Sequence, residues 1–140
     1  MKYNKRLNNK RYIVVNFMLF AILYLSVSFN KEVIRPIYGQ TPIIGILTGS
    51  FSNFMAAFII SMFSFAPIFA KKIKFKKARI IVYVTALLVF SILTIEELKP
   101  FVSASTTYDI YDIIASGFGS ILAILTFEIF IGKRVTIKNL

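Results

Sequence analysis

Apolar residues are gathered along this chain into four long runs separated by short polar stretches. The runs are Tyr12–Phe29, a stretch within Ile43–Ala70, Ile80–Ile95 and Ile110–Ile131, and only the last holds charges, Asp112 and Glu128, one near each end. Crossing a hydrocarbon layer of ~30 Å takes about 20 helical residues at 1.5 Å each. The pattern therefore predicts four transmembrane helices, at about residues 12–29, 53–70, 80–95 and 110–131, in a single integral membrane domain covering 1–140. The expected fold class is all-α, a polytopic membrane protein built as an antiparallel four-transmembrane-helix bundle.

The second run is longer than one straight span needs, and its first part carries Gly45, Gly49, Ser50, Ser52 and Asn53, residue types that break or cap helices. The spanning helix is accordingly expected to begin near Asn53, with Thr41–Ser52 as a short interfacial or re-entrant element covered by protein or water. Pro67 is expected to bend or end the last turn of that helix. The first run, behind a basic N-terminus and ahead of Ser26 and Ser28, imitates a signal peptide. It exceeds the roughly 7–15 residues of a signal-peptide apolar region, and the expectation is that it is retained as a span.

Composition supports lipid as the solvent: 57% of the 140 residues are hydrophobic and 16% are charged, and mean hydropathy is +0.74. With 17 Lys and Arg against 6 Asp and Glu the net charge is +11, and placement turns that excess into topology. Fourteen of the basic residues fall in the blocks Lys2–Arg11, Lys71–Arg79 and Lys133–Lys138, which an even number of spans puts on one side. The positive-inside rule makes that side the cytoplasm, so the expected location is the bacterial cytoplasmic (inner) membrane with both termini cytoplasmic. The loops Asn30–Pro42 and Glu96–Tyr108 then face outward. The polybasic block Lys71–Lys77 serves topology and can also hold anionic lipid headgroups at the cytoplasmic face. Nucleic acid is not an expected partner, and oligomeric state is left open.

The chain has no Cys and no His, which excludes disulfides, thiolate metal sites, Cys nucleophiles and His-based acid–base chemistry. The chemistry left to it is carboxylate chemistry. Glu96 and Glu97 stand at the outer end of the third span, Asp109 and Asp112 at the start of the fourth, and a short loop makes the two helices antiparallel neighbours. Asp109 and Asp112, three apart, share a helix face. Thr106 and Asp109 match a capping box, which offers Asp109 a purely structural role. Asp112 lies a turn deeper in an apolar span, where an ionised acid costs up to ~3 kcal/mol without a partner or a wet cavity. One of Glu96 and Glu97 is expected to face the site. Arg35 is expected to pair with Asp112 or a neighbouring acid, with an exposed loop charge as the alternative. Below Asp112, Ala115, Gly119 and Ala123, with Ser116 and Ser120 alongside, form a small-residue stripe that lets another helix approach closely, first of all within this bundle. Glu128 is expected to reach the inner interface or pair there. The GxxxG formed by Gly45 and Gly49 carries little weight beside a suspected break.

Glu at the end of one span, a short loop, then D-x-x-D-x-x-A and a glycine opening the last span resembles the VanZ-like family of small bacterial membrane proteins. Glu96 or Glu97 would match the family Glu, Asp109 and Asp112 the paired acids, and Ala115 with Gly119 the Ala and Gly of the final helix. Gly49-Ser50-Phe51-Ser52-Asn53-Phe54 looks like a GSxxNF segment of some relatives. Lys99 stands where the family has Gln and Ser116 where it has Asn, and both the Arg shortly before the first Asp and the common His are missing, which marks a divergent member. The resemblance implies envelope biology, because the family takes its name from resistance to the glycopeptide teicoplanin.

The residue types favour a non-enzymatic envelope protein whose ligand-binding residues Glu96, Glu97, Asp109, Asp112 and Arg35 form an outward acidic site for a polar or cationic envelope ligand, with antibiotic or envelope-stress tolerance as its setting. No cofactor and no catalytic residue are expected, and metal binding is left open. The alternatives are a divalent-cation-dependent enzyme acting on a lipid-linked phosphate, with Mg²⁺ on the carboxylates, and a small transporter or channel subunit. Against the last, only Asn16, Ser61, Ser64, Thr85 and Ser120 offer polarity near the middle of the spans.

Overall fold

The computed structural model describes residues 2–70, 73–99 and 109–129, with side chains placed for 13–68, 73–99 and 109–129. All the elements in them are helical: α1 (Lys2–Phe29), a π-helical turn (Asn30–Ile34), α2 (Arg35–Tyr38), α3 (Pro42–Met62), α4 (Phe65–Ala70), α5 (Phe75–Leu98) and α6 (Ile110–Phe127). Four stretches are long and apolar enough to cross a membrane, Ile13–Tyr38, Pro42–Ile68, Phe75–Leu98 and Ile110–Phe127. The four-helix expectation holds, and several of its boundaries move.

The first span does not give way to a loop at Asn30. The chain stays helical to Tyr38 through the π turn, in which the Arg35 N–H reaches back five residues to the Asn30 carbonyl. Pro36 accounts for the widening, since it has no N–H and its ring crowds the carbonyl four residues back, that of Glu32. The side chain of Asn30 is buried and donates from Nδ2 to the Thr48 carbonyl at 2.7 Å, pinning this end of α1 to α3.

The expected interfacial element at Thr41–Ser52 is absent, because α3 is one continuous helix from Pro42. Pro42 sits at its first turn after an extended Thr41, a position where the missing N–H costs nothing. The glycines that argue for a break weaken a helix by only ~0.5–1 kcal/mol each, whereas backbone groups left unpaired in lipid cost several kcal/mol each. The helix is the cheaper conformation. Gly45 has a second reason to be small: the Gly39 carbonyl oxygen lies 2.5 Å from where its Cβ would stand.

Pro67 acts upstream of the last turn. Its i−4 carbonyl belongs to Phe63, and the helix breaks at Phe63–Ser64, where the N–H groups fall back three residues, to Ile60 at 3.2 Å and Ser61 at 3.3 Å. The third span starts before Ile80 and the fourth passes into a π turn at Glu128–Ile129. Residues 71–72, most of the expected loop to Tyr108, the Lys133–Lys138 block and the side chains of the Lys2–Arg11 block lie outside the described residues.

α3, α5 and α6 pack against one another, and α1 lies against α3 and α4. Chain order makes α3 and α6 run in the same direction and α5 opposite to both. The α3–α6 contact is the most extensive among the described residues, and the small-residue stripe makes it. A Cβ on Gly119 would run into the Phe54 carbonyl oxygen and come within 3.0 Å of both Ala57 Cβ and Phe58 N. Ser116, Ser120 and Ala123 on the same face are buried. A Cβ on Gly49 would touch nothing, so the Gly45–Gly49 motif is no crossing point.

Toward the end where α5 begins, Phe65, Ile68, Ala78, Val82 and Phe127 form a compact apolar cluster. Phe127 is fully buried, stacked on Phe75 with ring centres 5.9 Å apart and meeting Phe65 edge-on at 5.7 Å. The outer faces of the helices, above all α1, present large apolar side chains, as suits helices solvated by lipid.

Candidate functional site

The four expected carboxylates are brought toward one end of the bundle, where α5 finishes and α6 starts. Asp109 is the N-cap of α6: its backbone is extended and its side chain accepts the Tyr111 N–H at 2.9 Å. The capping box thus sits three residues later than expected. Asp109 occupies the cap, Asp112 the third helical position, and Thr106 lies outside the described residues. An aspartate is the stronger cap, and its extended conformation stops the helix from starting earlier.

In a capping box the acid at the third position reaches back to the N–H of the cap residue. Here Glu97, arriving from α5, accepts the Asp109 N–H on Oε1 at 2.9 Å instead. Glu97 is therefore the glutamate that faces the site, half-buried, while Glu96 is exposed one position round the helix. Asp112 is released from capping by this substitution. Its Oδ1 is buried and has no hydrogen-bond partner among the described residues, and the buried Ser50 of α3 lies near its carboxyl.

Arg35 falls short of the expected ion pair. It is exposed on α2 and lies beyond 4 Å from any carboxylate among the described residues, where the one salt bridge joins Arg79 and Glu128. Its long side chain remains solvated on a helical turn that continues α1. Among the described residues no three acidic side chains converge as a metal site.

Between the parallel helices α3 and α6 runs a cavity of about 460 Å³ lined by Ile46, Leu47, Ser50, Phe51 and Phe54 on α3 and by Tyr111, Ile114, Ala115 and Phe118 on α6; Asp112 does not line it. Its walls are almost wholly apolar, with Ser50 buried among them. The groove follows the helices for about two turns, ~12 Å at 1.5 Å per residue.

At the opposite end lies a constellation that the sequence reading missed. Arg79 clamps Glu128 with two parallel bonds, Nε to Oε1 at 2.6 Å and Nη2 to Oε2 at 2.7 Å. The Tyr83 hydroxyl donates to Glu128 Oε1 at 3.0 Å, and the guanidinium sits 5.3 Å above the Phe75 ring. These bonds hold the Glu128 carboxyl below the usual carboxylate range, against a smaller upward push from desolvation. The available signal was Arg79 and Tyr83 at i and i+4 on one helix facing a lone acid on the next. Glu128 thus pairs, with a partner on another helix. In the interior, Asn16 Oδ1, Ser61 Oγ and Ser120 Oγ are buried without partners among the described residues; all three are uncharged.

No family model, no characterised protein and no solved structure matches this chain.

Proposed function

We propose that this multi-pass membrane protein is a divergent VanZ-like protein of the bacterial cytoplasmic membrane, whose acidic end faces outward and binds a polar or cationic envelope ligand. One observation carries the reading: a carboxylate oxygen of Asp112 is buried and without a partner among the described residues at the head of an apolar helix pair, where Glu97 makes the cap contact that Asp112 would otherwise make. An acid kept in that position without a structural task is costly, and a cationic or hydrogen-bond-donating ligand relieves the cost. Glu97 and Asp109 add negative potential around it, and charge complementarity in so desolvated a place is worth more than in bulk water. The clustering of Lys and Arg at the other end supports cytoplasmic termini. The D-x-x-D-x-x-A pattern with its upstream Glu supports the family assignment and, through it, a link to glycopeptide and envelope-stress tolerance.

The test is antibiotic susceptibility, teicoplanin included, in a deletion strain carrying either the wild-type gene or Asp112→Asn at matched membrane levels. Wild type is expected to restore tolerance and Asp112→Asn to fail. Equal restoration by both would overturn the reading. Reporter tags at Met1 and Leu140 are expected on the cytoplasmic side.

A further inference from the structure

At the start of α5, far from the acidic end, inward and outward side chains alternate. Ile73 and Phe75 pack against the cluster of Phe65, Ile68, Ala78, Val82 and Phe127, while Lys74 between them, and Lys76 and Lys77 after them, are exposed. Lys74 is the extended residue that precedes the helix. The Ile73 N–H reaches the Ile68 carbonyl at 3.3 Å and Phe75 stacks on Phe127, so the three ammonium groups stand on a stretch tied to the core, and holding a ligand there costs little further ordering of the backbone. None of the three has a carboxylate within 4 Å among the described residues. Glu128, the described acid at this end, is taken up by Arg79 through both of its oxygens. Arg79 lies three residues after Lys76, on the same side of the helix, but its guanidinium is turned to Glu128 and to the Phe75 ring. Past Lys77 the helix continues outward-facing through Ile80, Val84 and Leu87, which are 62%, 49% and 64% exposed at the three- and four-residue spacing of one helix face.

Unpaired cations where a span enters the membrane, with an exposed apolar row directly below them, complement a molecule with an anionic head and an apolar chain. We propose that the start of α5 binds an anionic phospholipid, its phosphate held by Lys74, Lys76 and Lys77 and one acyl chain lying over Ile80, Val84 and Leu87, with Glu128 holding Arg79 back from the headgroup. Charge selects the ligand: a zwitterionic headgroup brings a cation of its own against the lysines, and each lysine near an anionic membrane surface is worth about fivefold in binding. The apolar row selects lipid over a soluble anion, which has no chain to lay along it. The surface is independent of the acidic end and of the ligand proposed there.

The experiment is native mass spectrometry of the full chain in detergent, offered phosphatidylglycerol and phosphatidylethanolamine of identical acyl chains at equal concentration. Wild type is expected to retain phosphatidylglycerol about tenfold over phosphatidylethanolamine. Lys76→Gln with Lys77→Gln is expected to lower phosphatidylglycerol retention by about tenfold, whereas Lys31→Gln with Lys99→Gln, which removes the same charge from exposed positions near the acidic end, should change it by less than about twofold. All four positions are exposed, so neither pair of substitutions disturbs the core. Glu128→Gln, which frees Arg79 beside Lys76, is expected to raise retention severalfold; a fall would overturn the part given to Glu128. Equal retention of the two lipids by wild type overturns the proposal. So do equal losses in the two lysine pairs, which would mean that retention follows net charge alone, and release of phosphatidylglycerol by added inorganic phosphate, which would make the occupant a soluble anion.

Discussion

Replacing Gly119 by alanine adds one methyl group to the close α3–α6 crossing. That methyl would overlap the Phe54 carbonyl oxygen and stand 3.0 Å from Ala57 Cβ and Phe58 N. Two of the three obstacles are backbone atoms of α3, which no rotamer change can move, so the helices must part by about 1 Å. A gap of that size forfeits a quarter to a half of the dispersion energy of each contact along the crossing, and overpacking of this kind costs ~1–3 kcal/mol in all. Two sister variants isolate the cause. At Gly117 the new Cβ would meet Phe90 Cε2 at 3.5 Å, an ordinary contact, and at Gly49 it would meet nothing. There the gain in helix propensity, ~0.5–1 kcal/mol, is free to appear. Unfolding in mixed micelles, followed by far-UV circular dichroism, is expected to rank Gly49→Ala most stable, then Gly117→Ala, then wild type, with Gly119→Ala lowest. A Gly119→Ala protein as stable as Gly49→Ala would refute the close crossing.

Three further outcomes follow from other contacts. Glu128→Gln is expected to lower the melting temperature, and the deficit should shrink with added salt as the exposed Arg79 pair is screened. Because the folded-state value of Glu128 is depressed, its contribution is complete above the ordinary carboxyl value of 4.5 and disappears as pH falls below it; melting of wild type and Glu128→Gln should converge on acidification, and a constant difference across that range would disprove the assignment. Asn30→Ala removes the 2.7 Å bond to the Thr48 carbonyl and is expected to cost about 1–2 kcal/mol in the same unfolding assay. Glu97→Ala strips the Asp109 N–H of its acceptor and should destabilise by ~1 kcal/mol, whereas Glu96→Ala, at an exposed position, should stay within about 0.5 kcal/mol of wild type; the reverse order would mean that the other glutamate faces α6.

The spans were legible because lipid imposes one coarse demand, a long apolar run with few or no charges, and the four runs meet it. Their ends were not, for the opposite reason. Asn30, Lys31, Glu32 and Pro36 read as loop by their chemistry, and Gly45, Gly49, Ser50 and Asn53 as a break, but near a membrane the demand to pair every backbone group overrides such preferences. The candidate site was legible as a set of acids at one depth. Which glutamate turned inward depended on the rotational phase of α5, and the role of Asp109 depended on where α6 begins. Arg79 and Glu128 lie 49 residues apart; the i, i+4 spacing of Arg79 and Tyr83 gave them one face, but which acid meets that face depends on how α5 and α6 pack.

The dominance of the α3–α6 contact also orders events in time. During synthesis α3 emerges well before α6, so the face of Phe54 and Ala57 that Gly119 will occupy first meets lipid or α5. The largest interface forms only when the last span arrives, by a helix sliding into a place already shaped for it. Everything that depends on that interface, the groove and the seat of Asp112 included, is assembled in the final step of biogenesis, and a ribosome that stops before Ile110 leaves behind a membrane-inserted chain with its principal seam still open.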